Sequence, residues 1–94
     1  MLVNAVIYTF PADRIDDVKR MLVQLRDRSR EEAGCTGFDV FQSLDDPNAI
    51  VLYERWLDQA ALDDHYRTPH FTEFGLNGIR PLALSRVGHR AIAI

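Results

Sequence analysis

Ala49-Ile50-Val51-Leu52-Tyr53-Glu54-Arg55-Trp56-Leu57 is the stretch that decides the fold. Rich in β-branched and aromatic residues, it reads as a strand. Side chains alternate along a strand, so Ile50, Leu52, Glu54 and Trp56 share one face and Val51, Tyr53 and Arg55 the other. Neither face is cleanly polar, as an open, solvated sheet face would be. Both faces are therefore expected to be covered, one by helices and one by a second subunit.

The elements on either side follow from the same rules. Asp45-Asp46-Pro47-Asn48 has turn chemistry and joins this strand in a hairpin to a preceding one over Phe38–Leu44. Leu2–Phe10 is another strand, ended by Pro11. Between them Ile15, Val18, Leu22 and Leu25 recur at gaps of three and four, which predicts a helix over Ala12–Glu32. Asp13, Asp16 and Asp17 sit near its positive end, and Gly34 is a natural stop after it. Asp58 caps a short helix running to Tyr66. Thr68-Pro69 opens another, with Pro at the first helical position. Leu84–Ile94 is the last strand. The order β-α-β-β-α-β predicts an α+β chain of ferredoxin-like topology, with an antiparallel sheet and helices on one face. A single domain spans 1–94.

Composition narrows the function. Of 94 residues, 47% are hydrophobic and 10% aromatic, a content that calls for a subunit interface or a ligand cavity. Ten Arg and one Lys stand against fourteen acids, for a net charge of −3. The chain thus lacks the basic footprint of a nucleic-acid binder. The apolar opening Met1–Val6 is too short to span a bilayer, so no membrane partner and a cytoplasmic location are expected. The one cysteine, Cys35, excludes an internal disulfide and reads as a small buried hydrophobe in a turn.

Chemistry must come from few residues. There is no glycine-rich phosphate loop, no G-x-S-x-G and no H-E-x-x-H. His65 and His70 lie five apart with Pro69 between them, off a common helical face, so neither a metal nor a cofactor is expected. Glu54, in mid-strand beside Leu52 and Trp56, must either pair with a partner or hold a raised pKa, and either state suits an acid–base group. His65 either caps its helix or points inward as a base or donor. Trp56 is core or a pocket wall. Asn4, inside an apolar strand, is a satisfied core amide or a pocket residue. His70 and Phe71, at the start of the next helix, complete the candidate site.

Glu31-Glu32-Ala33-Gly34-Cys35-Thr36-Gly37-Phe38, and Tyr53-Glu54-Arg55-Trp56 followed by Ala61-Leu62, His65 and Thr68-Pro69-His70-Phe71, resemble the antibiotic biosynthesis monooxygenase domain family over nearly the whole chain. The resemblance implies a homodimer whose two sheets form an α+β barrel. It also implies cofactor-free oxygenation, by dioxygen, of a small quinol-like or electron-rich aromatic substrate. One branch of the family instead isomerises a small phosphorylated ketone, and a non-catalytic ligand-binding or stress protein is the third reading. The family's polyketide oxygenases carry an Asn where Leu52 stands, a Tyr at Leu62 and an Arg near Gly75, so only Trp56 is retained here. Its haem-degrading members carry a Trp at His65 and a ligating His near Gly75, which turns the expectation away from haem. On this reading Glu54 and His65 are catalytic, and Asn4, Trp56, His70 and Phe71 bind substrate.

Overall fold

A computed structural model describes residues 1–94. Its strands are β1 (Leu2–Thr9), β2 (Cys35–Gln42), β3 (Ala49–Trp56) and β4 (Ser85–Ile92). Its helices are α1 (Ile15–Ser29), α2 (Gln59–Tyr66) and α3 (Phe71–Ile79), the last wound as a π-helix. The four strands form one antiparallel sheet in the order β2-β3-β1-β4, which is the ferredoxin-like arrangement the sequence predicts. No helix is long and apolar enough to cross a membrane.

The inward face of the sheet is set by register. Leu2, Asn4, Val6 and Tyr8 of β1 stand opposite Trp56, Glu54, Leu52 and Ile50 of β3, and all eight are buried. Val18, Leu22 and Leu25 of α1, Leu62 of α2 and Ile79 of α3 close over them. Trp56 has no exposed surface and meets Phe38 edge-on, with centroids 6.4 Å apart. Burying side chains of this size contributes about 1.5–3 kcal/mol each, so this layer holds the fold together. Asn4 and Glu54 are polar members of that dry layer, directly opposite one another.

The boundaries differ from the sequence reading where local hydrogen bonds win. Ala12–Arg14 is a 3₁₀ turn, and α1 ends at Ser29. Beyond it Glu31 N donates to Arg28 O and Glu32 N to Ser29 O, a tightening that releases Glu32 from the helix. β2 begins at Cys35, opposite Trp56, with an irregularity before Gly37. Cys35 is thus a half-buried strand residue and not a buried turn residue. Ser43 Oγ accepts from Asp45 N and Asp46 N, which stops β2 short of Leu44. Asp58 caps α2 by accepting from Ala61 N at 2.9 Å. Thr68 Oγ1 accepts from Phe71 N at 3.2 Å, capping the helical turn that opens at Pro69.

Candidate active site

The sheet, the end of α2 and the π-helix enclose a small cavity. Its wall includes Asn4, Glu54, His65, Phe71, Arg80 and Arg86. Glu54 and His65, which the sequence proposes as a pair, therefore face one enclosure. Its volume is about 20 Å³, enough for one water molecule and no more. Admitting an organic ligand requires the side chains of the rim to move. The larger hollows of the chain are open and lie elsewhere. One of about 280 Å³ runs along Lys19, Leu22, Val23 and Arg26.

Glu54 owes its chemistry to its strand position. Desolvation pushes its carboxyl from 4.5 up to about 7, outweighing the hydrogen bonds from Trp56 and Asn4 and the charge of Arg86, which pull it down. The indole Nε1 of Trp56 donates to Oε1 at 3.2 Å. Trp56 does not line the cavity; it is core, and it reaches the site through Glu54 and through the His65 ring packed on it. A carboxyl poised near neutrality accepts a proton and returns it at little cost.

His65 is buried at the end of α2, and desolvation lowers its pKa. Its ring packs on Trp56 at 4.5 Å and on Phe71 at 5.3 Å between centroids. Nδ1 lies 2.7 Å from Oε2 of Glu32, and Nε2 of His70 lies 2.9 Å from the same oxygen. An ionised carboxylate only accepts, so both nitrogens donate. That fixes the neutral His65 ring as the Nδ1–H tautomer and leaves its Nε2 free to accept. Here the expectation from spacing is corrected. His65 and His70 share no helical face, yet the Thr68-Pro69 corner folds both rings onto Glu32. His70 consequently stands behind His65 and not in the cavity wall.

Two arginines escape the sequence reading. Arg80 lies over the Phe71 ring at 5.2 Å, and its buried Nε has no hydrogen-bond partner. Arg86 lies over Tyr8 at 5.8 Å and donates from Nε to the Tyr8 hydroxyl at 3.2 Å. Neither pairs with a carboxylate, so the cavity wall carries two guanidinium charges beside one buried carboxyl. The signal for Arg86 was the alternation of β4, which puts Arg86, Gly88 and Arg90 opposite the inward Tyr8, Val6 and Asn4. Arg80 and Glu32 carry no such local signal.

Comparison with known proteins agrees with this architecture. A Bacillus subtilis protein named "Putative monooxygenase YcnE" is 38% identical over 50 residues, which is 53% of each chain. A Mycobacterium tuberculosis protein, named "Putative monooxygenase Rv0793", is 37% identical over 46 residues, 49% of this chain and 45% of its own. The chain thus spans about half the length of these curated relatives. A crystal structure of an antibiotic biosynthesis monooxygenase superposes with a TM-score of 0.94 at 29% identity, covering 100% of this chain and 99% of the other. The Rv0793 structure shares the fold, with a TM-score of 0.91 at 21% identity over 99% of this chain and 94% of its own. The family model for antibiotic biosynthesis monooxygenases matches residues 1–75, and the chain belongs to that family.

Proposed function

We propose that the protein is a cofactor-independent monooxygenase acting, as a homodimer, on a small quinol-like or electron-rich aromatic substrate. The observation that carries this reading is the buried Glu54 carboxyl, near neutrality, in one enclosure with two guanidiniums that no carboxylate neutralises. Membership of the family supports it. In the proposed reaction Glu54 takes a phenolic proton, and Arg80 and Arg86 stabilise the resulting anion. The quinolate passes one electron to dioxygen, and the radical pair joins as a ring hydroperoxide. The O–O bond then breaks as water leaves. The net change is quinol plus O₂ to hydroxyquinone plus H₂O, so all four electrons that reduce O₂ come from the substrate and no further reductant enters. His65, with Nε2 unprotonated, holds a substrate hydroxyl by accepting its hydrogen bond. Trp56 orients the Glu54 carboxyl, and Asn4 and Phe71 shape the wall.

Because Glu54 and His65 face one cavity, the same pair suits proton transfer across a small ketone, which is the second reading. Oxygen uptake separates the two. Given a naphthohydroquinone in air, with no added metal, flavin or nicotinamide, the enzyme is expected to consume oxygen above the autoxidation rate in proportion to its concentration. Glu54→Gln should lower that uptake by ~10²-fold or more. Deuterium exchange into a ketone's α-position without oxygen uptake would instead establish the isomerase. Ligand-dependent stabilisation with neither activity would establish a binding protein.

A further inference from the structure

The convergence of His65 and His70 on Glu32 lies behind the cavity, and the proposed reaction draws on its Glu32–His65 bond alone and has no use for His70. Three donor atoms from three separate elements come together there. They are a carboxylate oxygen from the turn after α1, Nδ1 from the end of α2 and Nε2 from the helical turn that opens at Pro69, all within 4.8 Å of one another. His65 is buried, and the side chains of Glu32 and His70 are each only 14% exposed. A structural hydrogen bond to His65 would need one carboxylate oxygen and no second imidazole. The corner that brings in His70 is itself built, with Thr68 Oγ1 donating to His65 O at 2.7 Å and accepting from Phe71 N.

We infer that Glu32, His65 and His70 form a binding site for a divalent first-row transition ion of the zinc, cobalt or nickel class. Two imidazoles and a carboxylate are a donor set those ions take, with bonds of about 2.0–2.2 Å. The present separations of 2.7 and 2.9 Å are shorter than the roughly 3.3 Å between ligands of a tetrahedral zinc. An ion therefore enters as Oε2 draws back a few tenths of an ångström and each neutral ring carries its proton on its other nitrogen, Nε2 of His65 and Nδ1 of His70. A hollow of about 270 Å³, lined by Glu32, Gly34, Asp64 and Thr68 among others, gives access from solvent and room for water to complete the coordination. Glu32 borders that outer hollow and His65 the inner cavity, and neither borders both. The ion would clasp the α1–β2 turn, α2 and the start of α3 together, and would turn Nε2 of His65 from an acceptor to a donor toward the inner cavity while Glu54 stays free.

The test is direct binding by the full chain, stripped with a chelator and exchanged into metal-free buffer. Zinc competed against a chromophoric chelator should bind at one ion per chain and raise the melting temperature as its concentration rises. Cobalt in its place should give the visible bands of a four- or five-coordinate site. Glu32→Gln and His70→Ala should each weaken binding by ten-fold or more and abolish those bands. His70→Asp, which restores a donor, should recover much of the affinity, and His89→Ala on the exposed β4 should bind as the parent does. Zinc binding that His70→Ala leaves unchanged, or no saturable binding by the parent chain, overturns the site. None of these readouts depends on turnover, so they stand or fall apart from the proposed reaction.

Discussion

Asn4 and Glu54 stand directly opposite one another on β1 and β3, an amide and a carboxyl between the buried pairs Leu2–Trp56 and Val6–Leu52. Dry layers of this kind tolerate a carboxyl only when it is neutral or well partnered. Trp56 and Asn4 supply partners, and desolvation still outweighs them.

A pH dependence of stability follows. The folded chain keeps Glu54 protonated up to about 7, whereas the unfolded chain releases that proton near 4.5. Between those values the folded state binds the extra proton, so stability falls as pH rises and is full only below 4.5. The gap is worth roughly 3 kcal/mol. Urea melts at pH 5 and pH 8 should therefore show Glu54→Gln losing less stability across that interval than the parent, by on the order of 1–3 kcal/mol. Equal losses in the two proteins would mean that Glu54 is ionised throughout.

Glycine at position 34 is required by close approach. A Cβ there would fall 2.4 Å from Cβ of Ala61 on α2, while Gly34 O accepts from Leu57 N at 2.9 Å and fixes the turn in place. Gly34→Ala must displace α2, the helix that carries His65, at a cost of about 1–3 kcal/mol. Ala61→Gly removes the opposing methyl, though glycine in a helix costs about 1 kcal/mol by itself. The double variant should be more stable than the two single losses added together. Strict additivity in thermal melts would show that no contact exists between the two positions.

How much of this was legible in the sequence depends on whether the signal is local. The strand alternation of Ile50 to Trp56 and the helical stripe of Val18, Leu22 and Leu25 sit within single elements, and the fold follows from them. Glu54 announced itself because a carboxyl in an apolar alternation is anomalous wherever the strand goes. Glu32 did not, since its partners lie 33 and 38 residues away and its own neighbourhood reads as a solvated helix end. The spacing of His65 and His70 argued only that they share no helical face, and it said nothing of a common partner far off in the sequence. The Thr68-Pro69 corner was legible, but not that it turns both rings onto Glu32. Trp56 was ambiguous for a different reason. Alternation says that it points inward, but only the register against Leu2 and Cys35 shows that it ends in the core and not in the cavity wall.

The outward face of the sheet carries an apolar row of its own. Phe41, Val51, Ile7 and Val87 fall in one row across the four strands, and Phe41, Ile7 and Val87 are 54%, 50% and 59% exposed. No helix covers that row, and β4 is exposed along its whole length on both faces. An apolar row flanked by an open edge strand is a liability for a lone chain, and a second copy placed against it buries both. Sedimentation at micromolar concentration should therefore give about twice 10.8 kDa. Ile7→Asp puts a charge at the centre of the row without touching the inward core, and should shift the species to a monomer that still folds. The same change should lower oxygen uptake, because β4 carries Arg86 into the cavity wall and loses its cover when the partner leaves. A parent chain that sediments as a stable monomer would remove the dimer. A monomeric Ile7→Asp with full uptake would leave the dimer in place but show that each chain builds its site alone.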